Sequence, residues 1–216
     1  AAFGAAALVV ALVEWLRPRQ EVIDQQRDDP VGPASGLPVV TTGHRSTVWW
    51  GMIGLVATMG VAYAALVYSY FYLRLLSPVG EWPLGDIPKP DLLWPAAVFA
   101  VLLAAGLAQA FSGRAFRAGR GLAAVVGAAK VLLFGGVFLV GLLVLIGTLP
   151  FTATDTAYGS AFWVLMFYLA VTVGLGLALQ IALLARLPWH ADDRHGFTGL
   201  QVQITALYWY FAVAAG

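Results

Sequence analysis

Residues 49–74 read WWGMIGLVATMGVAYAALVYSYFYLR and carry no formal charge before Arg74. A soluble helix keeps a polar face toward water, and residues 49–67 offer none at any helical period. A hydrocarbon layer of about 30 Å takes about 20 helical residues to cross, so this stretch is a membrane span. Its ends fit that reading. Trp49 and Trp50 stand at one end and Tyr68, Tyr70 and Tyr72 at the other, where amphipathic rings partition into the two headgroup layers and Arg74 extends its stem toward water.

The rest of the chain follows the same rule. Of 216 residues, 61% are hydrophobic and only 11% charged, less than half the charge of an ordinary soluble domain. Five further apolar runs, at 1–16, 93–112, 121–149, 160–186 and 199–216, are long enough to cross or nearly cross a bilayer. The first and last are cut by the chain ends, which predicts a piece of a longer or only partly represented chain. Residues 1–16 have no basic segment before them and no small-residue cleavage site after them, so they are read as a span rather than a signal peptide.

Basic residues alternate between loops. Arg17, Arg19, Arg27 and Arg45 lie in 17–46, Arg114, Arg117 and Arg120 in 113–120, and Arg186 and Arg194 around 187–198. The opposite loops hold Arg74 and Lys89 at 74–92 and nothing basic at 150–159. The positive-inside rule makes the Arg-rich side cytoplasmic and predicts six crossings, with the chain ending outside. The segment 17–46 is charged, then rich in Pro and Gly, and reads as a surface connector between a lone helix at 1–16 and a five-helix block at 47–216.

Buried ionisable groups carry most membrane chemistry, and this chain has few. Lys130 is the one such group well inside a span. Its long stem is expected to reach back to the cytoplasmic headgroups or to pair inside the bundle, with a functional lysine as the alternative. Glu14 sits at a span end, where solvation explains it. His44, His190 and His195 fall in loops, so none is placed to ligate a haem between facing helices. The run WHADDRH at 189–195 has cation-ligating side chains without the spacing of a closed site. With no cysteine, disulfides, thiolate metal sites and iron–sulfur clusters are excluded. Glycines inside spans, among them Gly51, Gly54, Gly60, Gly135, Gly136, Gly141, Gly174 and Gly176, predict closely packed helices, with Gly60 and Gly174 expected at contacts.

The ordered set HRSTVWWGMIGL, SYFYLR, EWPLGDIPKPDLLWP, YGSAFWVLMFYL and GLQVQITALYWYF resembles the third subunit of haem–copper terminal oxidases of the cytochrome c oxidase type, over about 45–216. Residues 1–16, VEWLRP and LPVVTTGHRS are similar to the junction in bacterial oxidases that fuse the first and third subunits; a third subunit with its own extra helix reads the same way. The resemblance implies an all-α polytopic bundle, a five-helix block preceded by one extra helix, in a bacterial cytoplasmic membrane. It implies a non-catalytic subunit beside catalytic subunits I and II, with haem and copper in those partners, none in this chain, and bound phospholipid. Trp49, Trp50, Arg74, Lys130 and Trp209 are the candidate lipid or interface residues.

Departures from the family pattern are specific. The family's intramembrane glutamate falls at Met59, its two histidines after the YGS element at Leu169 and Thr172, and its YWHFVD-type ending becomes YWYFAV, with Tyr210 for His and Val213 for Asp. A chain without those groups is expected to support packing and lipid rather than proton traffic. A solute or lipid transporter or a channel is the other class to weigh. Transporters break helices at mid-membrane and channels line a polar pore, whereas Pro is absent from 47–76, 121–149 and 160–186 and only scattered Thr, Ser and Tyr are available.

Because the native chain has no cysteine, single cysteines report topology directly. Asp28→Cys and Arg117→Cys should react with an impermeant thiol reagent only from the cytoplasmic side, and Asp155→Cys only from the other. Labelling of 117 and 155 from one side would overturn the orientation.

Overall fold

The computed structural model describes residues 46–77, 82, 92–190 and 196–216. The expected span 1–16, almost all of the linker 17–46 and residues 191–195 of the WHADDRH run lie outside the described residues. Five helices, and no strand, make up the described residues: α1 (Thr47–Leu76), α2 (Leu93–Arg117), α3 (Gly121–Gly147), α4 (Ala157–Arg186) and α5 (Phe197–Ala215). They correspond in order to the five apolar runs after residue 46.

Local signals set the helix ends. Ser46 caps α1, its Oγ accepting from the Trp49 amide at 3.2 Å, and Thr156 caps α4, its Oγ1 accepting from the Gly159 amide at 3.0 Å. Arg74 falls in the last turn of α1 and Arg186 in that of α4, next to the carbonyl ends that favour a cation. The expected loop at 113–120 is mostly helix. Helix α2 passes the expected end at Ser112, runs on to Arg117 and stops only where Gly119 adopts φ 74°. There the Arg120 amide donates to Ala115 O at 2.9 Å and the Gly119 amide to Phe116 O at 3.0 Å, the paired closure that needs a left-handed residue and hence Gly. Between α3 and α4, Asp155 accepts from the Thr152 amide at 2.6 Å and the Thr152 hydroxyl at 2.7 Å. These two bonds hold its carboxyl below the ordinary carboxylate range.

Helices α2 to α5 form a closed ring in which each packs on the next and α5 returns to α2; α1 lies outside the ring in the groove between α4 and α5, touching neither α2 nor α3. Four helices are long and apolar enough to cross a membrane: α1, α2, α3 and α4. The chain is thus a multi-pass membrane protein. Helix α5, 19 residues long and so about 28 Å, is less apolar because Thr198, Gln201, Gln203 and Thr205 interrupt it. Burial explains the composition. Thr198, Gln201 and Thr205 are enclosed by neighbouring helices, and a helix surrounded by protein escapes the lipid's selection against polar side chains.

Small residues decide which helices approach. A Cβ on Gly127 of α3 would lie 2.8 Å from Ser112 Cβ and 2.9 Å from Ser112 Cα; one on Gly135 would meet the Trp209 ring at 2.5 Å; one on Gly106 would meet Val213 at 2.9 Å. Gly60 and Gly174, expected at contacts, are loosely placed instead: the first would meet only Phe211 at 3.8 Å, the second nothing within 4 Å. Their spans are apolar all round, so sequence alone does not say which side faces a neighbour. Introducing Gly127→Val should lower stability by about 1–3 kcal/mol through overpacking, read as a lower thermal midpoint in detergent, while Gly174→Ala leaves the midpoint unchanged or higher. Equal losses at both positions would contradict this packing.

Candidate functional site

Helix α1 meets the ring along a narrow seam. Trp49, Met52, Val56 and Met59 recur at alternating spacings of three and four and pack against Leu200, Ile204 and Tyr208 of α5 and Leu175 and Leu179 of α4, the spacing of a two-helix interface. Met52 is the one buried residue of α1. At mid-membrane the seam turns polar. Tyr168 donates its hydroxyl to Met59 O at 2.6 Å, Tyr208 donates to Thr172 O at 2.8 Å with Met59 Sδ at 3.7 Å, and Thr172 Oγ1 donates back to Tyr168 O at 2.8 Å. The Tyr63 ring lies 5.8 Å from that of Tyr168. Three helices are therefore joined at one level by hydroxyl groups, each satisfied by a backbone carbonyl with a free lone pair.

A second polar layer lies toward the Arg-rich ends. Gln180 of α4 donates Nε2 to Ala128 O of α3 at 3.1 Å and accepts the Trp209 indole N–H of α5 on Oε1 at 3.1 Å. Ser112 of α2 donates to Ala124 O of α3 at 2.8 Å. In hydrocarbon such groups have no water to fall back on, so each bond selects one helix register. Toward the opposite ends, Tyr70, Trp82 and Tyr158 form an edge-to-face cluster in which Trp82 Nε1 donates to Tyr70 Oη at 3.3 Å. The aromatic end of α1 is divided in this way: Tyr68 and Tyr72 face outward, while Tyr70 fastens a loop.

The residues singled out by sequence do not gather at one place. Met59 and Thr172 meet around Tyr208. Leu169 packs inside the ring with Val98, Phe138 and Trp209, and Tyr210 is 48% exposed. Trp50 and Arg74 are exposed and Trp49 is half-buried. Trp209 differs from expectation: it is 0% exposed, inserted between α3 and α4 by the absence of a side chain at Gly135 and by its bond to Gln180. Lys130 faces outward, so of its two expected placements the pairing inside the bundle is the one its position does not give. Tyr168, Tyr208 and Gln180 were not anticipated. Gln180 stood in an apolar run as a neutral polar residue, and that is the signal that could have found it. Among the described residues no three His, Cys, Asp or Glu side chains come together to hold a metal ion.

These features define a class: a multi-pass helical membrane protein in which Tyr168, Tyr208 and Gln180 bond helix to helix. The family model described as "Cytochrome c oxidase subunit III" matches residues 35–214, and the chain belongs to that family. It is similar to cytochrome c oxidase subunit 3 of Xenopus laevis, 29% identical over 216 residues covering 96% of this chain and 76% of the relative. The subunit of Lumbricus terrestris is 27% identical over 213 residues, covering 94% and 75%, and that of Pisaster ochraceus 24% over 213, covering 96% and 76%.

Substitution of the indole donor separates this network from simple packing. Trp209→Phe leaves Gln180 Oε1 buried without its partner and should cost about 1–3 kcal/mol, against about 1 kcal/mol for Tyr168→Phe, whose acceptor carbonyl keeps its bond within the helix. Thermal midpoints in detergent provide the comparison, and a neutral Trp209→Phe would refute the role given to Gln180.

Proposed function

We infer that this chain is a non-catalytic integral subunit of a cytochrome c oxidase-type terminal oxidase, supporting subunits I and II, which carry the haem and copper. The observation that carries this reading is the use of polar groups: in a chain of the subunit III family, the hydrogen-bonded side chains of Tyr168, Tyr208 and Gln180 join helices. A transporter or channel would leave such groups lining a path. Met59, Leu169, Thr172 and Tyr210 stand for the ionisable groups the family pattern leads one to expect. The neutral set supports packing.

Lipid-mediated support has a physical location. Helices α1 and α2 each pack on α5 without touching each other. Because Phe211 faces Gly60 of α1 and Val213 faces Gly106 of α2, the sector of α5 bearing Gln203, Tyr210 and Ala214 floors a furrow between them. An acyl chain fits that chemistry, with Tyr210 as its polar neighbour. The Arg-rich ends, at Arg117, Arg120 and Arg186, belong to the cytoplasmic face of a bacterial inner membrane under the positive-inside rule. A relative's match that covers 96% of the chain takes in the linker 17–46. That supports an extra helix of the third subunit itself over a junction with the first.

Purification of the intact complex through a tag on this chain should yield haem bands in the optical spectrum and phospholipid in the extract. Deletion of residues 47–216 should leave the partner's haem spectrum intact while activity decays faster during turnover. A colourless preparation would end the oxidase reading, and immediate loss of haem on deletion would end the accessory one.

A further inference from the structure

Lys130 is the one charged residue in the interior of a described helix. It follows Gly121 by nine positions, about 14 Å along the axis, while Arg114, Arg117 and Arg120 mark the headgroup level at that end of the bundle. Half of the hydrocarbon layer is about 15 Å, so the Lys130 backbone lies near the mid-plane. Its side chain is exposed and shares the outward face of α3 with Val126, Leu133 and Val137, which are 44%, 61% and 51% exposed. Helix α3 packs on α2 and α4 and receives the Trp209 ring of α5 at Gly135, and that face is turned away from all three.

No counter-charge comes from within the described bundle, since none of the five helices contains Asp or Glu. A lipid phosphate is out of reach, because the four-carbon stem spans less than half of the distance back to the arginine level. Two copies joined symmetrically through this face would set ammonium against ammonium.

We propose that the outward face of α3 centred on Lys130 docks a transmembrane helix of another subunit of the complex, which presents an Asp or Glu carboxylate near the bilayer mid-plane. The inference rests on the oxidase-subunit reading and deepens it by naming the face and the chemistry of the contact. The flat row Val126, Leu133 and Val137 lets a helix approach closely enough for the ammonium to reach a carboxylate on it. An ion pair in hydrocarbon is highly selective, because neither partner tolerates solitude there.

A photoreactive benzophenone side chain at Leu133 of the intact complex tests the contact with Lys130 in place, and the same group at Phe167, exposed on α4, serves as the comparison. Leu133 should give an adduct to a haem- or copper-bearing polypeptide. Lys130→Glu should reduce co-purification of those subunits at least tenfold after detergent extraction, while Lys130→Arg retains it, with equal thermal midpoints for the isolated chains. Adducts at Leu133 confined to lipid, to a second copy or to residues 1–16 of this chain would overturn the proposal, as would wild-type co-purification of Lys130→Glu. If adducts to those subunits form at Phe167 and not at Leu133, the docking face is wrong and the oxidase reading stands. If the wild-type chain brings down no haem-bearing polypeptide from either position, the oxidase reading fails and this inference with it.

Discussion

Insertion of the Trp209 indole between α3 and α4 is the contact on which the bundle depends. The ring is wholly enclosed, rests where Gly135 has no side chain and donates its N–H to Gln180, whose other end is bonded to Ala128 O. One side chain of α5 thereby sets the spacing and the register of two other helices. Tyr208, the preceding residue, does the same for α1 and α4 through Thr172 O and Met59 Sδ. In lipid the hydrophobic effect does not draw helices together, so close dispersion contact and a few well-placed hydrogen bonds supply the attraction. Glycine at 106, 135 and 176 provides the contact, and the aromatic pair provides the bonds.

This arrangement explains why α5 is both the least apolar and the most enclosed helix. It is the post against which α1, α2 and α4 lean, so its Thr198, Gln201 and Thr205 side chains face protein. Helix α1 is the reverse case. It is apolar throughout, buries only Met52 and touches the ring along one seam, which leaves most of its surface for lipid or for other subunits. A bundle built in this way suits an accessory subunit. Rigid register at the centre and broad apolar faces outside give a partner a fixed surface to pack on.

Much of the fold was legible in residue order. Five of the expected runs became the five helices, and the apolar composition of 49–67 was enough to place α1. The helix ends were less legible: the span was expected to end at Ser112 and the loop to begin at Gly113, but Ser112 bonds across to Ala124 O and Gly113 sits inside α2, so the chain reverses only at Gly119. The site was read less well. The positions Met59, Leu169, Thr172 and Tyr210 were picked by similarity, and only Met59 and Thr172 come together. Tyr168, Tyr208 and Gln180, which form the bonds, looked like ordinary members of apolar runs.

The reason lies in the solvent. A bilayer selects for apolar side chains on every helix face, so composition and run length determined by themselves that this chain crosses the membrane several times. The same uniformity removes the polar face that would mark an inside and an outside in a soluble helix. Which side of each helix meets a neighbour was decided only in three dimensions, by the places where a missing Cβ admits a ring and where a buried N–H or O–H finds a carbonyl. That choice turned Trp209 and Gly135 inward, left Gly174 in open space and set Lys130 on the outer face of α3.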